Sequence, residues 1–278
     1  MLKQRVMTAI VLLALLLPTL FAASTWPFAL LTLALIGAAG WEWGRLNGAG
    51  FAAQALGLAV ALACAAALWA GWTQRTAEPL GWWLAAGAWV VGSAWALRGG
   101  PAAWARLAVP VRWALGLVLL WTAWLALAKA KSVGVNFILS VFSIVWVADI
   151  CAYFGGRAFG KRKLAPSISP GKSWEGVWSG MLGAVLLGMA WVWFEREGST
   201  QSPSLFGHLL ARGGTPLLLV GVAFLTAMSV VGDLFESLVK RSAGAKDSSA
   251  LLPGHGGVLD RVDALLPVFP IALALMST

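Results

Sequence analysis

The sequence is short of charged residues. Only 11% of its 278 residues are Asp, Glu, Lys or Arg, whereas 60% are hydrophobic, and the mean hydropathy is +0.81. A soluble globular chain usually carries about 25% charged residues. The shortage excludes a soluble fold and predicts an all-α polytopic membrane protein.

Cysteine and histidine are nearly absent, with two residues of each. Cys64 and Cys151 lie within or at the end of apolar segments, and their spacing fits neither a zinc site nor a disulfide framework. We interpret both as small packing residues. His208 lies in a polar, Ser- and Gly-rich segment over 195–214, which we predict to be a loop in which this lone histidine has no function.

Acidic residues are outnumbered by basic ones, 11 against 20, which gives a net charge of +9. The basic residues are scattered over short loops, and no soluble domain exists to present a basic face. This distribution excludes nucleic acid as a partner. Membrane topology explains the excess better.

Long apolar runs dominate the chain. Since about 20 apolar residues cross a bilayer, we predict nine transmembrane helices, near 6–22, 26–43, 51–72, 80–97, 110–128, 134–154, 176–194, 215–235 and 258–276. We expect one integral membrane domain over 1–278, with about five spans in 1–130 and the remaining helices, which carry the polar motifs described below, in 131–278. The first run resembles a cleaved signal peptide, but because further spans follow at once we expect it to be retained.

The positions of the basic residues predict the orientation of these helices. With the N-terminus inside, only five of the 20 Lys and Arg residues fall on the outer side, namely Arg75, Lys129, Lys131, Arg196 and Arg212. Loops rich in Lys and Arg stay in the cytoplasm. We therefore predict a multi-pass protein of the cell (inner) membrane whose Lys- and Arg-rich loops, including those of both polar stretches described below, face the cytoplasm.

Tryptophan is frequent, with 18 residues. Many lie near the ends of predicted spans, such as Trp41, Trp43, Trp82 and Trp83. An aromatic belt at the membrane interfaces explains these positions more simply than stacking on a nucleotide. We therefore predict that these tryptophans form an aromatic belt.

The few charged residues are concentrated in one stretch, over 233–263. On a helix beginning near Val258, Asp260 and Asp263 lie three residues apart and face the same way, as two ligands of a hard cation would. The Gly-rich turn 253–257 leads into that helix, where free N–H groups favour a phosphate. Asp233 follows an apolar run, and we interpret it as a further metal ligand rather than a helix end.

An earlier polar stretch, the first of the two in chain order, covers 149–176. Asp149 closes an apolar run and fits a helix end about as well as a site residue. The basic residues that follow fit a positive-inside cluster as well as phosphate binding; they are Arg157, Lys161, Arg162, Lys163 and Lys172. Gly and Ser residues make this loop flexible, but it lacks the spacing of a P-loop.

Together the two stretches resemble the signature of the phosphatidate cytidylyltransferases, also called CDP-diacylglycerol synthases. The matching residues of the second stretch are SLVKR (237–241), KD (246–247) and LPGHGGVLDRVD (252–263). Those of the first are DICAYFGGRAFGK (149–161) and KLAPSISPGKSWEG (163–176). Elsewhere only the pattern of apolar segments is similar.

The resemblance implies a Mg²⁺-dependent nucleotidyltransferase of phospholipid biosynthesis, which converts CTP and phosphatidate into CDP-diacylglycerol and pyrophosphate. A homodimer also follows from it, whereas the sequence leaves open whether a second cation joins the first. The implied catalytic residues are Asp233, Lys246, Asp247, Asp260 and Asp263, with Asp233, Asp260 and Asp263 as metal ligands. The implied substrate-binding residues are Arg157, Lys161, Lys172, Lys240, Arg241, His255, Gly256, Gly257 and Arg261.

Two other functions fit part of this pattern. A secondary transporter also places carboxylates in a broken apolar segment, but it predicts inverted repeats and a site at the membrane midplane, and neither is detected. A CTP-dependent lipid kinase shares the membrane, the nucleotide and the metal. Without the resemblance, the residues alone leave the kinase open. They also leave open whether Asp247 binds a metal or orients Lys246, and whether His255 acts as a base or a donor.

Overall fold

The computed structural model describes residues 2–75, 79–198 and 202–277 and is 81% helical. Its longer helices are α1 (Leu2–Phe21), α2 (Trp26–Leu46), α3 (Ala53–Trp69), α4 (Pro79–Arg106), α5 (Val109–Val133), α6 (Val135–Phe159), α7 (Trp174–Glu197) and α8 (Leu205–Ser242). A 3-10 turn at Gly50–Ala52 precedes α3, and two short helices follow α8, namely α9 (Leu259–Val262) and α10 (Leu265–Ser277).

Six helical segments of the described residues are long and apolar enough to cross a membrane: Gly50–Trp69, Pro79–Arg106, Val109–Val133, Val135–Phe159, Trp174–Glu197 and Leu205–Ser242. Large apolar side chains on them are open to the surroundings, such as Leu58 (61% exposed) and Val220 (67%). Such contiguous exposed apolar surface is what lipid covers. A helical, multi-pass membrane protein is confirmed, whereas the count of nine spans stays a prediction.

The last predicted span, 258–276, is not one helix. The structure divides it into α9 of four residues and α10 of 13 residues, and at 1.5 Å per residue α10 is about 20 Å long. Val268, Phe269 and Ile271 of α10 are buried. Because α10 packs against α4, α5 and α8, it is a core helix that is shorter than a typical bilayer span.

Local sequence signals account for several helix ends. Proline occupies the first turn of α2 and of α5, where its missing N–H costs nothing. Ser173 caps α7 by accepting from the N–H of Gly176, and Ser204 caps α8 in the same way through Gly207. These caps fix where α7 and α8 begin.

The predicted loop over 195–214 is partly wrong. Residues 199–201 lie outside the described part of the chain, but α8 already begins at Leu205 and bends at Gly213 and Gly214. His208 therefore lies in a helix, where its ring meets that of Phe137 edge-on at 5.9 Å. The bend arises because Gly214 has a φ of 63° and Pro216 follows it.

The assignment of Lys129 and Lys131 to a loop is also corrected. Both lie in the last turns of α5, and Gly134 alone separates α5 from α6. Lys131 is buried and donates to the carbonyl of Leu20 at 2.5 Å and to that of Ala22 at 3.1 Å. This lysine therefore satisfies carbonyl groups at the C-terminal end of α1.

The aromatic-belt prediction fails for part of the tryptophans. Trp43 and Trp82 are buried, and the rings of Trp43, Trp89 and Trp104 surround Phe235 at centroid distances of 5.3 to 6.1 Å. Burying large aromatic rings stabilises the contact of α2 and α4 with α8. Trp83 is 39% exposed, as a belt residue would be.

A small β-hairpin departs from the all-α prediction. Strands β1 (Lys163–Ala165) and β2 (Ser169–Ser173) pair antiparallel between α6 and α7, with Lys163 opposite Ser173. The stretch is short and rich in Pro, Gly and Ser, so its sequence reads as a loop. The hairpin projects Lys172 from a defined backbone rather than from a flexible segment.

Helices α6 and α7 approach each other closely along a line of small residues. A Cβ at Gly155 would lie 1.9 Å from Ser179 Oγ, and one at Gly180 would lie 2.8 Å from the carbonyl oxygen of Ala148. Neither glycine can be replaced without separating the backbones. This seam fixes the first polar stretch relative to α7.

Candidate active site

The structure brings the two polar stretches together. Lys172 on β2 forms an ion pair with Asp233 on α8, with 2.6 Å between Nζ and Oδ2. A second link joins them where Arg241 Nε donates to the carbonyl of Ile168 at 3.3 Å. Residues about 60 to 70 positions apart in the sequence therefore form one site.

An open pocket of about 1080 Å³ lies at this junction. Its polar side chains come from α6, α8 and the hairpin: Asp149, Tyr153, Arg157, Lys172, Ser173 and Asp233. Two cations and two carboxylates thus face one cavity, together with the tyrosine. With this arrangement of charges, the basic side chains can bind an anionic ligand and the carboxylates can bind a metal cation associated with that ligand.

The turn between α6 and β1 is tied to the start of α7. The carboxylate of Glu175 accepts from the backbone N–H groups of Lys161 and Arg162 at 3.1 to 3.2 Å. Glu175 therefore orders the backbone that carries the basic residues. The side chain of Lys161 is exposed and does not line the pocket.

A buried charge cluster continues from the pocket along α8. Lys240 Nζ lies between Glu236, with which it is in direct contact, and Asp260 Oδ1, at 2.6 Å. Glu236 is only 1% exposed, so its charge depends on this lysine. Lys240, predicted to bind substrate, is instead paired with protein carboxylates.

Asp260 is saturated with hydrogen bonds. In addition to Lys240, its Oδ2 accepts from the N–H of Gly257 at 2.7 Å and from the N–H and hydroxyl of Ser248 at 2.9 and 2.8 Å. Burial alone would raise the pKa of Asp260, but the hydrogen bonds from Lys240, Gly257 and Ser248 hold this pKa at about 2. The carboxylate thus orders the loop that surrounds it.

Asp263 has a different environment. Within the described residues, its Oδ1 accepts a hydrogen bond only from the N–H of Ala264, at 2.8 Å. Burial, and then the negative charge of Asp233, raise the pKa of Asp263 to about 8. The carboxyl groups of Asp233 on α8 and Asp263 at the end of α9 therefore repel each other, and Lys172 and Lys240 offset this repulsion only in part.

No cluster of three or more His, Cys, Asp or Glu side chains arranged around a metal position is found in the described part of the chain. The pair Asp233 and Asp263 nevertheless has the oxygen donors that Mg²⁺ prefers, and Mg²⁺ commonly binds through one or two carboxylates together with phosphate oxygens. These two residues fit the cation. Asp260 would first have to release Lys240.

The Gly-rich turn does not have the predicted open amides. The N–H of Gly257 donates to Asp260, and those of Val258 and Leu259 donate to Glu42. Gly256 is needed for its φ of 82°, and a Cβ at Gly257 would lie 2.1 Å from Ser248 Oγ. The N–H groups at the start of α9 therefore bind protein carboxylates, which corrects the expectation of a phosphate there.

The remaining predicted residues lie around this turn. Lys246 and Asp247 are exposed, with no hydrogen bond or ion pair to other described residues. Arg241 also donates to the carbonyl of Ala245, and Arg261 donates to that of His255 at 2.7 Å. Both arginines order the loop, and the binding roles predicted for these residues stay predictions.

Sequence reasoning missed Glu42, which lies on α2 far from both motifs. Its carboxylate is fully buried and accepts hydrogen bonds from Ser248, Ser249, Val258 and Leu259. The signal was present, because an ionisable residue in an apolar segment points to a site. Attention to the flanking Trp41 and Trp43 left this carboxylate unassigned in the sequence analysis.

Comparisons with known proteins agree with this arrangement. A family model described as the cytidylyltransferase family matches residues 3–278. A phosphatidate cytidylyltransferase from Pseudomonas aeruginosa is 41% identical over 295 residues, which cover 99% of this chain and 97% of that protein. Proteins of the same name from Haemophilus influenzae and Brucella suis are 50% and 46% identical over 49% and 48% of this chain, and 44% of each relative. This chain belongs to the cytidylyltransferase family.

Proposed function

We propose that this chain is a phosphatidate cytidylyltransferase, which transfers CMP from CTP to phosphatidate and yields CDP-diacylglycerol and pyrophosphate. The observation that carries the proposal is the ion pair between Lys172 and Asp233, which joins the two signature stretches across a pocket at the end of membrane helices. The full-length relative with 41% identity has this activity in its name.

The chemistry needs no general base. A phosphate monoester is largely dianionic at pH 7, so the lipid oxygen is already a nucleophile. It forms a bond to the α-phosphorus of CTP, and the bond from this phosphorus to the bridging oxygen of pyrophosphate breaks. The site must overcome repulsion between two anionic substrates and stabilise the leaving pyrophosphate.

The basic residues of the pocket meet this requirement. Arg157 and Lys172 line the cavity, so we assign them to phosphate oxygens of the substrates. Lys161 and Lys246 are exposed, do not line the pocket and have no side-chain partner among the described residues. We assign these two lysines to initial capture of CTP, since long-range attraction does not need fixed geometry.

We further propose that Mg²⁺ binds at Asp233 and Asp263, with Asp260 as the third predicted ligand and with room for a second cation. Bound there, Mg²⁺ would neutralise the triphosphate and the departing pyrophosphate. Asp233 is held toward the pocket by Lys172 and by the hydroxyl of Ser237, 3.3 Å from its Oδ1. Asp263 supplies the facing carboxyl group.

For topology, we propose nine passes, in which α1, α2 and α10 join the six long spans. Helix α10 is short, but protein surrounds it, so its length need not match the bilayer. We place the site at the cytoplasmic face of the cell (inner) membrane, where CTP is present. A homodimer is proposed from the family resemblance, and chemical cross-linking in native membranes tests it.

The lipid acceptor separates this function from the lipid kinase. The purified protein is given CTP, Mg²⁺ and either phosphatidate or diacylglycerol, and the lipid products are weighed by mass spectrometry. We expect CDP-diacylglycerol from phosphatidate and no product from diacylglycerol. Phosphatidate formed from diacylglycerol, with no CDP-lipid, would establish the kinase instead.

A further inference from the structure

Glu42 connects the N-terminal half of the chain to the catalytic loop. It lies on α2, and its side chain is 0% exposed. Oε1 accepts from Ser249 Oγ at 2.5 Å and from the N–H of Val258 at 3.0 Å, while Oε2 accepts from the N–H of Leu259 at 2.6 Å and lies 3.1 Å from Ser248 Oγ. All of these partners come from the second motif or its adjoining loop.

We propose that Glu42 is a positioning residue for cytidylyl transfer. It does not touch the pocket, but it holds the first turn of α9, and this turn carries Asp260 and leads directly to Asp263. By fixing the amides of Val258 and Leu259, Glu42 sets where both aspartates stand relative to α8. This inference rests on the proposed function only for its kinetic readout.

These contacts require both side-chain oxygens of Glu42 to be hydrogen-bond acceptors. Each oxygen of Glu42 receives one backbone N–H, and an N–H cannot be turned into an acceptor. A glutamine has nearly the same shape, but its NH₂ group would face one of these N–H groups. Loss of this acceptor leaves a buried N–H donor without a partner. Only a movement of the loop can give that donor a new partner.

Ser248 extends the connection to the catalytic carboxylate. Its hydroxyl oxygen lies 3.1 Å from Glu42 Oε2 and 2.8 Å from Asp260 Oδ2, so its one proton is shared between the two acceptors. A Cβ at Gly257 would lie 2.3 Å from Glu42 Oε1. The glycine therefore makes room for the carboxylate, and the motif is shaped around a residue that lies outside it.

Glu42→Gln tests the proposal in the full-length protein. We expect kcat for CDP-diacylglycerol formation to fall by about ten- to a hundred-fold, while KM for CTP changes by less than about three-fold, because the pocket lining stays and the aspartates shift. Hydrogen exchange of the amides over 257–259 should also become faster by about ten-fold. The exchange measurement needs no substrate, so it tests Glu42 even if the proposed reaction is wrong.

Thr32→Val is the matched control. Thr32 also lies on α2, is buried, and accepts a hydrogen bond from Trp124 Nε1 on α5 at 3.1 Å. Its loss should lower the thermal midpoint without changing kcat or the exchange of 257–259. If Glu42→Gln behaves like Thr32→Val, with a lower midpoint but kcat within about two-fold of wild type, Glu42 is only structural and the proposal is overturned.

Ser249→Ala is the milder variant in case Glu42→Gln does not fold. It removes one donor to Glu42 and leaves the partners of Asp260 in place. We expect the same direction of change, with kcat reduced by about three-fold or more and faster exchange over 257–259. Unchanged kcat and exchange in this variant would overturn the proposal.

Discussion

Lys172 and Asp233 form a close pair that stays open to solvent. Their side chains are 24% and 34% exposed, and ion pairs with such access to water stabilise a fold by about 1 kcal/mol or less. The pair therefore contributes little to holding the hairpin on α8. Its contribution is to hold a positively charged and a negatively charged side chain next to each other at the pocket.

Lys172→Met should affect binding far more than stability. We expect KM for CTP to rise by about ten-fold or more, because a charge-assisted contact to phosphate is lost, while the thermal midpoint changes little. Steady-state kinetics with varied CTP measure this. Lys163→Met on the neighbouring strand is the control, since Lys163 is exposed and does not line the pocket. If both variants raise KM for CTP equally, Lys172 contributes only to the overall positive charge of the hairpin and makes no specific contact with phosphate.

Asp263→Asn and Asp260→Asn should differ although both lose activity. Asp263→Asn removes a proposed metal ligand with few other contacts, so we expect turnover about a hundred-fold lower with a nearly normal thermal midpoint. Asp260→Asn also disturbs Lys240 and the loop, which should cost on the order of 3 kcal/mol of stability. Activity at saturating Mg²⁺ and thermal unfolding in detergent separate the two effects.

The outcome for Asp263 also tests the metal. Removal of divalent cations with a chelator should abolish turnover of the wild type, and Mg²⁺ should restore it. If Asp263→Asn keeps near-normal turnover at saturating Mg²⁺, Asp263 is not a metal ligand. Destabilisation of both variants to the same extent would mean that Asp263, like Asp260, mainly orders the loop.

At the scale of elements, the seam between α6 and α7 supports one wall of the pocket. Asp149 and Arg157 project from α6, whereas Ser173 and Val177 belong to the start of α7 and the strand before it. The close approach at Gly155 and Gly180 sets the spacing between these residues. Small residues at the seam thus set the geometry of the pocket as well as the packing of the two helices.

Gly155→Ala should therefore reduce both stability and turnover. The new methyl group would meet Ser179 Oγ at 1.9 Å, and such overpacking typically costs about 1–3 kcal/mol. Gly87→Ala in α4 is the control, because nothing lies within 4 Å of its Cβ, and it should be neutral or slightly stabilising. The thermal midpoints and kcat values of the two variants test this prediction. A Gly155→Ala protein with unchanged stability and turnover would contradict the close approach of α6 and α7.

The sequence predicts the individual helices better than it predicts how they pack together. The apolar runs predict α4 to α7 closely, since a bilayer leaves helices as the main choice. They fail at α10, because a buried helix and a membrane span are equally apolar, and at the hairpin, whose pairing depends on residues that read as a loop. Position along the chain likewise hid Glu42, which reaches the motif only through the fold.

For the whole molecule, contacts between distant segments define two ends. Thr8 near the start of α1 donates to the carbonyl of Pro253 in the motif loop at 2.8 Å, whereas Lys131 at the end of α5 binds the C-terminal end of α1. Both motifs therefore share one end with the beginning of α1. The charge pattern predicts that this end is cytoplasmic.

Cysteine labelling tests the orientation. In a background with Cys64 and Cys151 replaced by Ala, single cysteines are introduced at the exposed positions Ser167 and Ala243, and at Gln74 as the opposite-side control. We expect an impermeant thiol reagent to label Gln74→Cys in intact cells, and the other two only after permeabilisation. Labelling of Ser167→Cys or Ala243→Cys from outside would reverse the topology and deny the site cytosolic CTP.

Labelled CTP tests most directly whether this site transfers a cytidylyl group. The protein is supplied with phosphatidate and Mg²⁺, together with CTP labelled at either the α- or the γ-phosphorus, and the chloroform-soluble product is counted. Because an ionised phosphate attacks the α-phosphorus without a base, we expect lipid labelled from the α position and γ label only in released pyrophosphate. Lipid labelled from the γ but not the α position would contradict the cytidylyltransferase assignment.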